Sequence, residues 1–153
     1  MEEKAMFGAG CFWGVQAEFD ALPGVISSRV GYAGGTRDNP TYQQVCTDST
    51  GHAEVVEVVF DPTRLAYETL LRRFFDLHDP TQLNRQGPDI GTQYRSVIFV
   101  MDEAQRTSAE AVRAKELTRR PVVTTIETAP TFWPAEDYHQ KYLEKRGRTS
   151  CHL

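Results

Sequence analysis

Apolar positions recur along this chain with two periods, one near 3.6 and one of 2, and each change of period marks an element. Ala5 to Gly10 is a short apolar run that predicts a buried strand ending in Gly8-Ala9-Gly10. Phe12, Val15, Phe19 and Leu22 then fall on one face of a helix that Pro23-Gly24 stops. Val25 to Val30 reads as a second strand, and Gly31 to His52 as a polar, glycine-rich loop without periodicity. A loop of that length in a compact domain is often functional. Ala53 to Phe60 is the strongest strand signal, apolar and β-branched, closed by Asp61-Pro62. Tyr67, Leu70, Leu71, Phe74 and Phe75 give the next helix its apolar stripe, with His78-Asp79-Pro80 beyond its end. Thr81 to Arg95 is a second polar loop and Ser96 to Met101 a further strand. Asp102 is placed to cap a charged helix over residues 103–119, and Val122 to Thr128 is a last strand. Pro130-Thr131-Phe132-Trp133-Pro134 breaks the chain before a final helix from Ala135 to Lys145 and a tail from Gly147 to Leu153.

The order strand, helix, strand, strand, helix, strand is the split βαβ, or ferredoxin-like, arrangement. A helix, a strand and a helix follow it. The predicted architecture is an α+β two-layer sandwich with one mixed sheet, and the predicted organisation is a single domain over 1–153, with 147–153 a mobile tail carrying Cys151.

Composition narrows the function more than it changes the fold. The 153 residues are 40% hydrophobic and 25% charged, enough for one substantial core. The net charge of −4 is dispersed, with no cationic stripe to neutralise a phosphate backbone, so no nucleic-acid partner is expected. There is no run of 18 apolar residues, and Met1-Glu2-Glu3-Lys4 lacks the layout of a signal peptide. The expectation is a cytoplasmic monomer without a membrane partner. Three cysteines, Cys11, Cys46 and Cys151, are too few for a secreted disulfide framework and form no CxxC pair. The four histidines never fall at the i, i+4 spacing of a helical metal pair, so no metal is expected.

The chemistry concentrates at Cys11. A cysteine in the first turn of a helix faces unpaired backbone N–H groups and the positive end of the macrodipole, both of which favour thiolate. Gly8, Gly10 and Gly14 clear side chains from around it. Locally, a nucleophile and a buried structural cysteine are equally consistent with these features. Phe12 and Trp13 favour the first, because adjacent side chains on a helix diverge by about 100° and cannot both face the core. One of them is expected beside Cys11 as an apolar wall. Strand alternation puts Glu54 on the face of Val56, Val58 and Phe60, where desolvation would keep its carboxyl protonated and able to act as a general acid. A strand-end glutamate in water or paired with an arginine is the other reading.

The segment Gly10-Cys11-Phe12-Trp13-Gly14 resembles the signature of the A-type peptide methionine sulfoxide reductases. Gly31-Tyr32-Ala33-Gly34-Gly35, Asn39-Pro40-Thr41-Tyr42, Thr50-Gly51-His52-Ala53-Glu54 and Gly91-Thr92-Gln93-Tyr94-Arg95-Ser96 resemble further motifs of that family, in its order. The resemblance implies that Cys11 is the nucleophile and Glu54 the acid that protonates the sulfoxide oxygen. It implies that Tyr42, Asp89 and Tyr94 hold that oxygen, directly or through water, and that Phe12 and Trp13 form the pocket for the terminal methyl group. It also implies action on the S epimer of free and protein-bound methionine sulfoxide, with no metal or organic cofactor.

Attack by Cys11 would leave a sulfenic acid, to be condensed with a second thiol and reopened by a dithiol such as thioredoxin. Cys151, in a polar tail, is expected to be that second thiol. Relatives often carry two cysteines in a longer tail, and the single one here points to one Cys11–Cys151 disulfide. Cys46 reads as structural, with a backup resolving role open. His52 and His139 read as structural, and Phe132 and Trp133 receive no catalytic role. Two other readings stand beside this one. The first is a cysteine hydrolase or acyl transferase with His52 or His139 as base. The second is a non-catalytic module binding methionine-bearing or oxidised peptides through Trp13.

Overall fold

Phe7 stands at the centre of the molecule, fully buried, with its ring 5.0 Å from Phe19 and 5.4 Å from Phe74. These three rings join a strand to the two helices that lie across it. The computed structural model describes residues 2–47, 49–136 and 139–140. The elements are β1 (Glu3–Ala9), α1 (Phe12–Asp20), β2 (Val25–Ala33), α2 (Tyr42–Cys46), β3 (Ala53–Phe60) and α3 (Tyr67–Leu77), then the hairpin β4 (Arg85–Gln86) and β5 (Asp89–Ile90). A 3-10 turn (Thr92–Tyr94), β6 (Ser96–Val100), α4 (Glu103–Leu117), β7 (Thr125–Thr128) and β8 (Trp133–Pro134) complete the order.

The main sheet runs β7-β6-β1-β3-β2-β8. Its inner four strands, β6-β1-β3-β2, are antiparallel throughout, as the split βαβ order requires. β7 adds in parallel beyond β6, with α4 as the crossover, and β8 adds antiparallel beyond β2. The mixed sheet and its added elements match the expected α+β architecture.

Alternation along the strands divides the sheet into two faces. Ala5, Phe7 and Ala9 of β1, Val56, Val58 and Phe60 of β3, and Ile98 and Val100 of β6 pack with Phe12, Val15 and Phe19 of α1, Leu70, Leu71, Phe74 and Phe75 of α3, and Ala109 and Val112 of α4. Met6, Val55, Val97 and Phe99 face the other way, under Ala129 and Phe132. Burying one such aromatic ring contributes about 1.5–3 kcal/mol. Phe7 therefore ties three elements at once.

Several local expectations change. β2 runs on to Ala33, pairing Tyr32 with Glu54 and Ala33 with Ala53. Gly31, which reads as a loop residue, is a strand glycine: a Cβ there would lie 2.3 Å from the Trp133 carbonyl oxygen. The long loop also holds α2, whose Thr41 accepts the Gln44 N–H while the Gln44 side chain accepts the Thr41 N–H. The last strand begins only at Thr125, because Val123 donates to the Pro80 carbonyl at 2.8 Å instead of joining the sheet. Trp133 and Pro134, expected only to break the chain, form the edge strand β8. Next to it the Gln140 side chain accepts the Val30 N–H at 2.9 Å and donates to the Val30 carbonyl at 2.8 Å. Ala135 and Glu136 are not helical. The rest of the expected final helix, apart from His139 and Gln140, and the tail with Cys151 lie outside the described residues.

Candidate active site

β1 turns into α1 over two residues. Gly10 takes φ +99°, a conformation that disfavours a Cβ, and Cys11 follows as the N-cap of α1 with a non-helical backbone (φ −55°, ψ 117°) and its carbonyl accepting the Val15 N–H. The next backbone donor, Phe12 N–H, is one that no helix carbonyl can satisfy. It donates to Glu54 Oε1 at 3.2 Å. Cys11 and Glu54, 43 positions apart in sequence, thus meet at one helix start.

Glu54 lies near the start of β3 on the helix-bearing face and is 2% exposed. Its Oε2 is buried without a hydrogen-bond partner among the described residues. Burial is the largest cause holding this carboxyl well above the usual range, and charge on Cys11 and on Asp89 pushes the same way. The Phe12 N–H works against them. Glu57, on the opposite face, pairs with Arg29 at 2.8 Å. Of the two glutamates of β3, only Glu54 lacks an arginine partner among the described residues.

Tyr42, Tyr94 and Asp89 come from three different segments: α2, the 3-10 turn and β5. Burial raises the Tyr94 hydroxyl most, followed by the charges of Glu54, Cys46, Asp89 and Cys11. Tyr42 is raised by burial, by its hydrogen bond to Cys46 and by the charges of Glu54, Cys46 and Tyr94. Both phenols therefore keep their protons and can donate. The mutual effects place Cys11, Glu54, Tyr42, Asp89 and Tyr94 in one electrostatic neighbourhood.

Cys46 belongs to that neighbourhood too, which its sequence context did not suggest. The residue is exposed as a whole, yet partial covering of its thiol is the largest cause raising its pKa. The Tyr42 hydrogen bond lowers it, and the charges of Glu54 and Glu136 raise it.

The aromatic wall divides as the helix geometry demands. Phe12 is 1% exposed and packs into the core, its ring 5.7 Å from Tyr32. Trp13 is half-buried, and its indole N–H donates to His139 Nδ1 at 3.0 Å. Glu136 accepts the Tyr42 backbone N–H and the Tyr32 hydroxyl, each at 3.2 Å. Gln86 is a third supporting residue that sequence reasoning missed. Its side chain lies against Gly10 and bonds both backbone groups of Asp79, tying the hairpin that carries Asp89 to the turn before Cys11.

The two candidate base histidines are otherwise engaged. His52 Nδ1 accepts the Gly35 N–H at 3.0 Å, and Nε2 lies 2.6 Å from the Arg37 carbonyl oxygen. His139 Nδ1 is taken by Trp13. Phe132 stacks under Arg29 on the far face of the sheet. Among the described residues there is no group of three or more His, Cys, Asp or Glu side chains that could hold a metal ion, and no helix is long and apolar enough to cross a membrane.

A cysteine at a helix start, with a neutral buried carboxyl bonded into the same turn and two phenols beside them, defines a cysteine–acid site on an α+β sheet. Residues 3–153 match the family model described as peptide methionine sulfoxide reductase. The chain is 60% identical over 154 residues to peptide methionine sulfoxide reductase MsrA of Acidobacterium capsulatum, covering 98% of this chain and 99% of that one. Its fold resembles reduced Mxr1 from Saccharomyces cerevisiae (TM-score 0.91, 34% identity, 95% of this chain and 86% of that one). It likewise resembles methionine sulfoxide reductase A of Corynebacterium diphtheriae (TM-score 0.87, 38% identity, 99% and 78%). The chain belongs to the A-type peptide methionine sulfoxide reductases, a family of oxidoreductases.

Proposed function

We propose that Cys11 reduces the S epimer of methionine sulfoxide, free or in protein, by attacking its sulfur while Glu54 delivers a proton to its oxygen. The observation that carries this reading is the Phe12 N–H bond to Glu54, which sets a desolvated carboxyl beside the cysteine that starts α1. A sulfoxide sulfur becomes a good electrophile as its oxygen is protonated, and a carboxyl kept neutral by burial is the group for that task. Tyr42 and Tyr94 donate hydrogen bonds to the same oxygen, with Asp89 ordering them or an intervening water. Phe12 and Trp13 enclose the methyl group on sulfur.

The oxygen ends on Cys11 as a sulfenic acid, and the two electrons Cys11 gives up leave with methionine. Cys151 then condenses with the sulfenic acid, forming a Cys11–Cys151 disulfide and releasing water. Cys46 is the poorer attacking thiol because burial and neighbouring carboxylates hold it protonated. A dithiol reopens the disulfide by exchange, and thioredoxin is the reductant we assign; Mxr1 from Saccharomyces cerevisiae has been solved in complex with Trx2. In this reading the chain is one catalytic domain, with 147–153 the segment that delivers Cys151. It works as a cytoplasmic monomer repairing oxidised proteins.

The test uses reduced enzyme, methionine sulfoxide and no other reductant. Stoichiometric methionine and the loss of two thiols per chain are expected. Undiminished methionine release by Cys11→Ser would overturn the reading.

A further inference from the structure

Gln86 is the tie between the Asp89 hairpin and the turn that presents Cys11. Its amide completes a rung with one residue: Oε1 accepts the Asp79 N–H at 2.9 Å, and Nε2 donates to the Asp79 carbonyl. Asp79 is itself held, its carboxylate accepting the Thr81 N–H at 3.0 Å, the Thr81 hydroxyl at 2.6 Å and the Gln82 side-chain amide at 3.1 Å. The Gln86 stem lies against Gly10, its Cγ 2.8 Å from where a Cβ would stand. Gln86 and Asp89 are paired across the hairpin, and directly opposed side chains share one face. That half-buried face is therefore turned to the β1–α1 turn. The other face carries Arg85 and Ile90, both exposed, Ile90 at 69%. Charge on Asp89 is felt at Glu54 and Tyr94, as that orientation requires.

From these contacts we propose that Gln86 is a positioning residue: by bonding Asp79 it seats the β4–β5 hairpin on Gly10 and so holds the Asp89 carboxylate at its working distance from the sulfoxide oxygen. Two strands of two residues each do not hold a shape alone. Among the described residues, Gln86 is the one member of β4 and β5 whose side chain is hydrogen-bonded outside the hairpin; the Arg85 guanidinium turns back to the Gly87 carbonyl. Without its amide the hairpin keeps its turn and loses its seat. A carboxylate that orders a donor or a water on a reacting oxygen acts over hydrogen-bond lengths, so a displacement of about 1 Å is costly. The inference rests on the reading of Asp89 as ordering the donors on that oxygen.

Gln86→Met keeps the stem and removes both bonds. Its single-turnover rate of methionine formation is expected to lie at least about fivefold below the parent's, and that of Asp89→Asn about tenfold below. In the Asp89→Asn background, Gln86→Met is expected to change the rate by less than about twofold, because the group it holds is already lost. A looser loop with no special tie to Asp89 would slow both backgrounds by the same factor. The alkaline limb of the rate, where Glu54 loses its proton, is expected to move to lower pH in either single variant and no further in the pair, since charge on Asp89 helps keep that proton in place. Gln86→Ala, which also lacks both bonds, replaces the methionine variant should the latter not fold. Equal factors in the two backgrounds, a further shift of the limb in the pair, or an unchanged rate in Gln86→Met while Asp89→Asn is slow overturns the inference and spares Asp89. An Asp89→Asn rate within about twofold of the parent removes Asp89 from the reaction, and the inference with it.

Discussion

Glu54 is bonded to the backbone of the residue that follows Cys11, its Oε1 accepting the Phe12 N–H at 3.2 Å. The proposed acid thus takes one of the unpaired backbone donors at the start of α1, the helix that the proposed nucleophile caps. Charge on Cys11 is among the causes that keep Glu54 protonated, second only to burial. Negative charge on Cys11 and a protonated Glu54 are thus compatible, whereas charge on both at once is disfavoured.

If Glu54 is the proton donor, Glu54→Gln retains its shape and loses its proton. The single-turnover rate of methionine formation is expected to fall about 10²–10⁴-fold while sulfoxide affinity stays within about threefold. Rapid-quench measurement decides it. A rate within threefold of the parent removes Glu54 from the reaction.

The same substitution should stabilise the protein, with a defined pH dependence. A carboxyl whose folded pKa is raised binds more protons in the native state than in the unfolded one. Its contribution to stability is full below the ordinary value of 4.5 and is lost as pH rises to and through the folded value. Glutamine has no such loss. The Tm difference between Glu54→Gln and parent is therefore expected to grow steadily from pH 4 upward; a difference that does not vary with pH contradicts the burial argument.

Gly10→Ala tests the turn before Cys11. The new Cβ would sit at φ +99° and 2.8 Å from Gln86 Cγ. A stability loss of about 1–3 kcal/mol is expected by denaturant titration, with a fall in the single-turnover rate. Adding Gln86→Ala relieves the contact but not the backbone conformation, so recovery should be partial; full recovery would show that the contact with Gln86 alone excludes a side chain there.

Mapping the disulfide after one turnover separates the two remaining cysteines. Cys46→Ala is expected to lose two thiols per turnover as the parent does, whereas Cys151→Ser should stop at the sulfenic acid, trappable with dimedone. A Cys11–Cys46 link as the main product would reassign the resolving thiol.

The fold was readable because period carries it. The apolar face of β1, β3 and β6 and the stripes of α1 and α3 follow from spacing alone, and their order fixes the split βαβ core. What escaped has a physical reason in each case. Gly31 looked like a loop residue because the backbone that needs its missing Cβ belongs to Trp133, about a hundred residues away. The five-residue α2 and the two-residue strands β4 and β5 are too short to show any period. At the site, Cys11 at a helix start and Glu54 on an apolar face could be read from local pattern. The bond from Trp13 to His139 spans 126 positions, and nothing in either neighbourhood announces it. Cys46 escaped because its tie to Tyr42 runs between side chains on successive turns of a helix that the pattern did not reveal.

The amide of Gln140, bonded to both backbone groups of Val30, has a consequence for the company this protein keeps. Those two groups lie just past the two-residue strand β8, where the Ala135 N–H already donates to the Val30 carbonyl at 3.0 Å and the Val30 N–H would otherwise be open to strand addition. A damaged protein chain, extended and rich in unsatisfied amides, would find there a second place to attach. The glutamine side chain occupies that rung of the ladder, so the edge of β2 offers no free backbone pair there for such a chain to join.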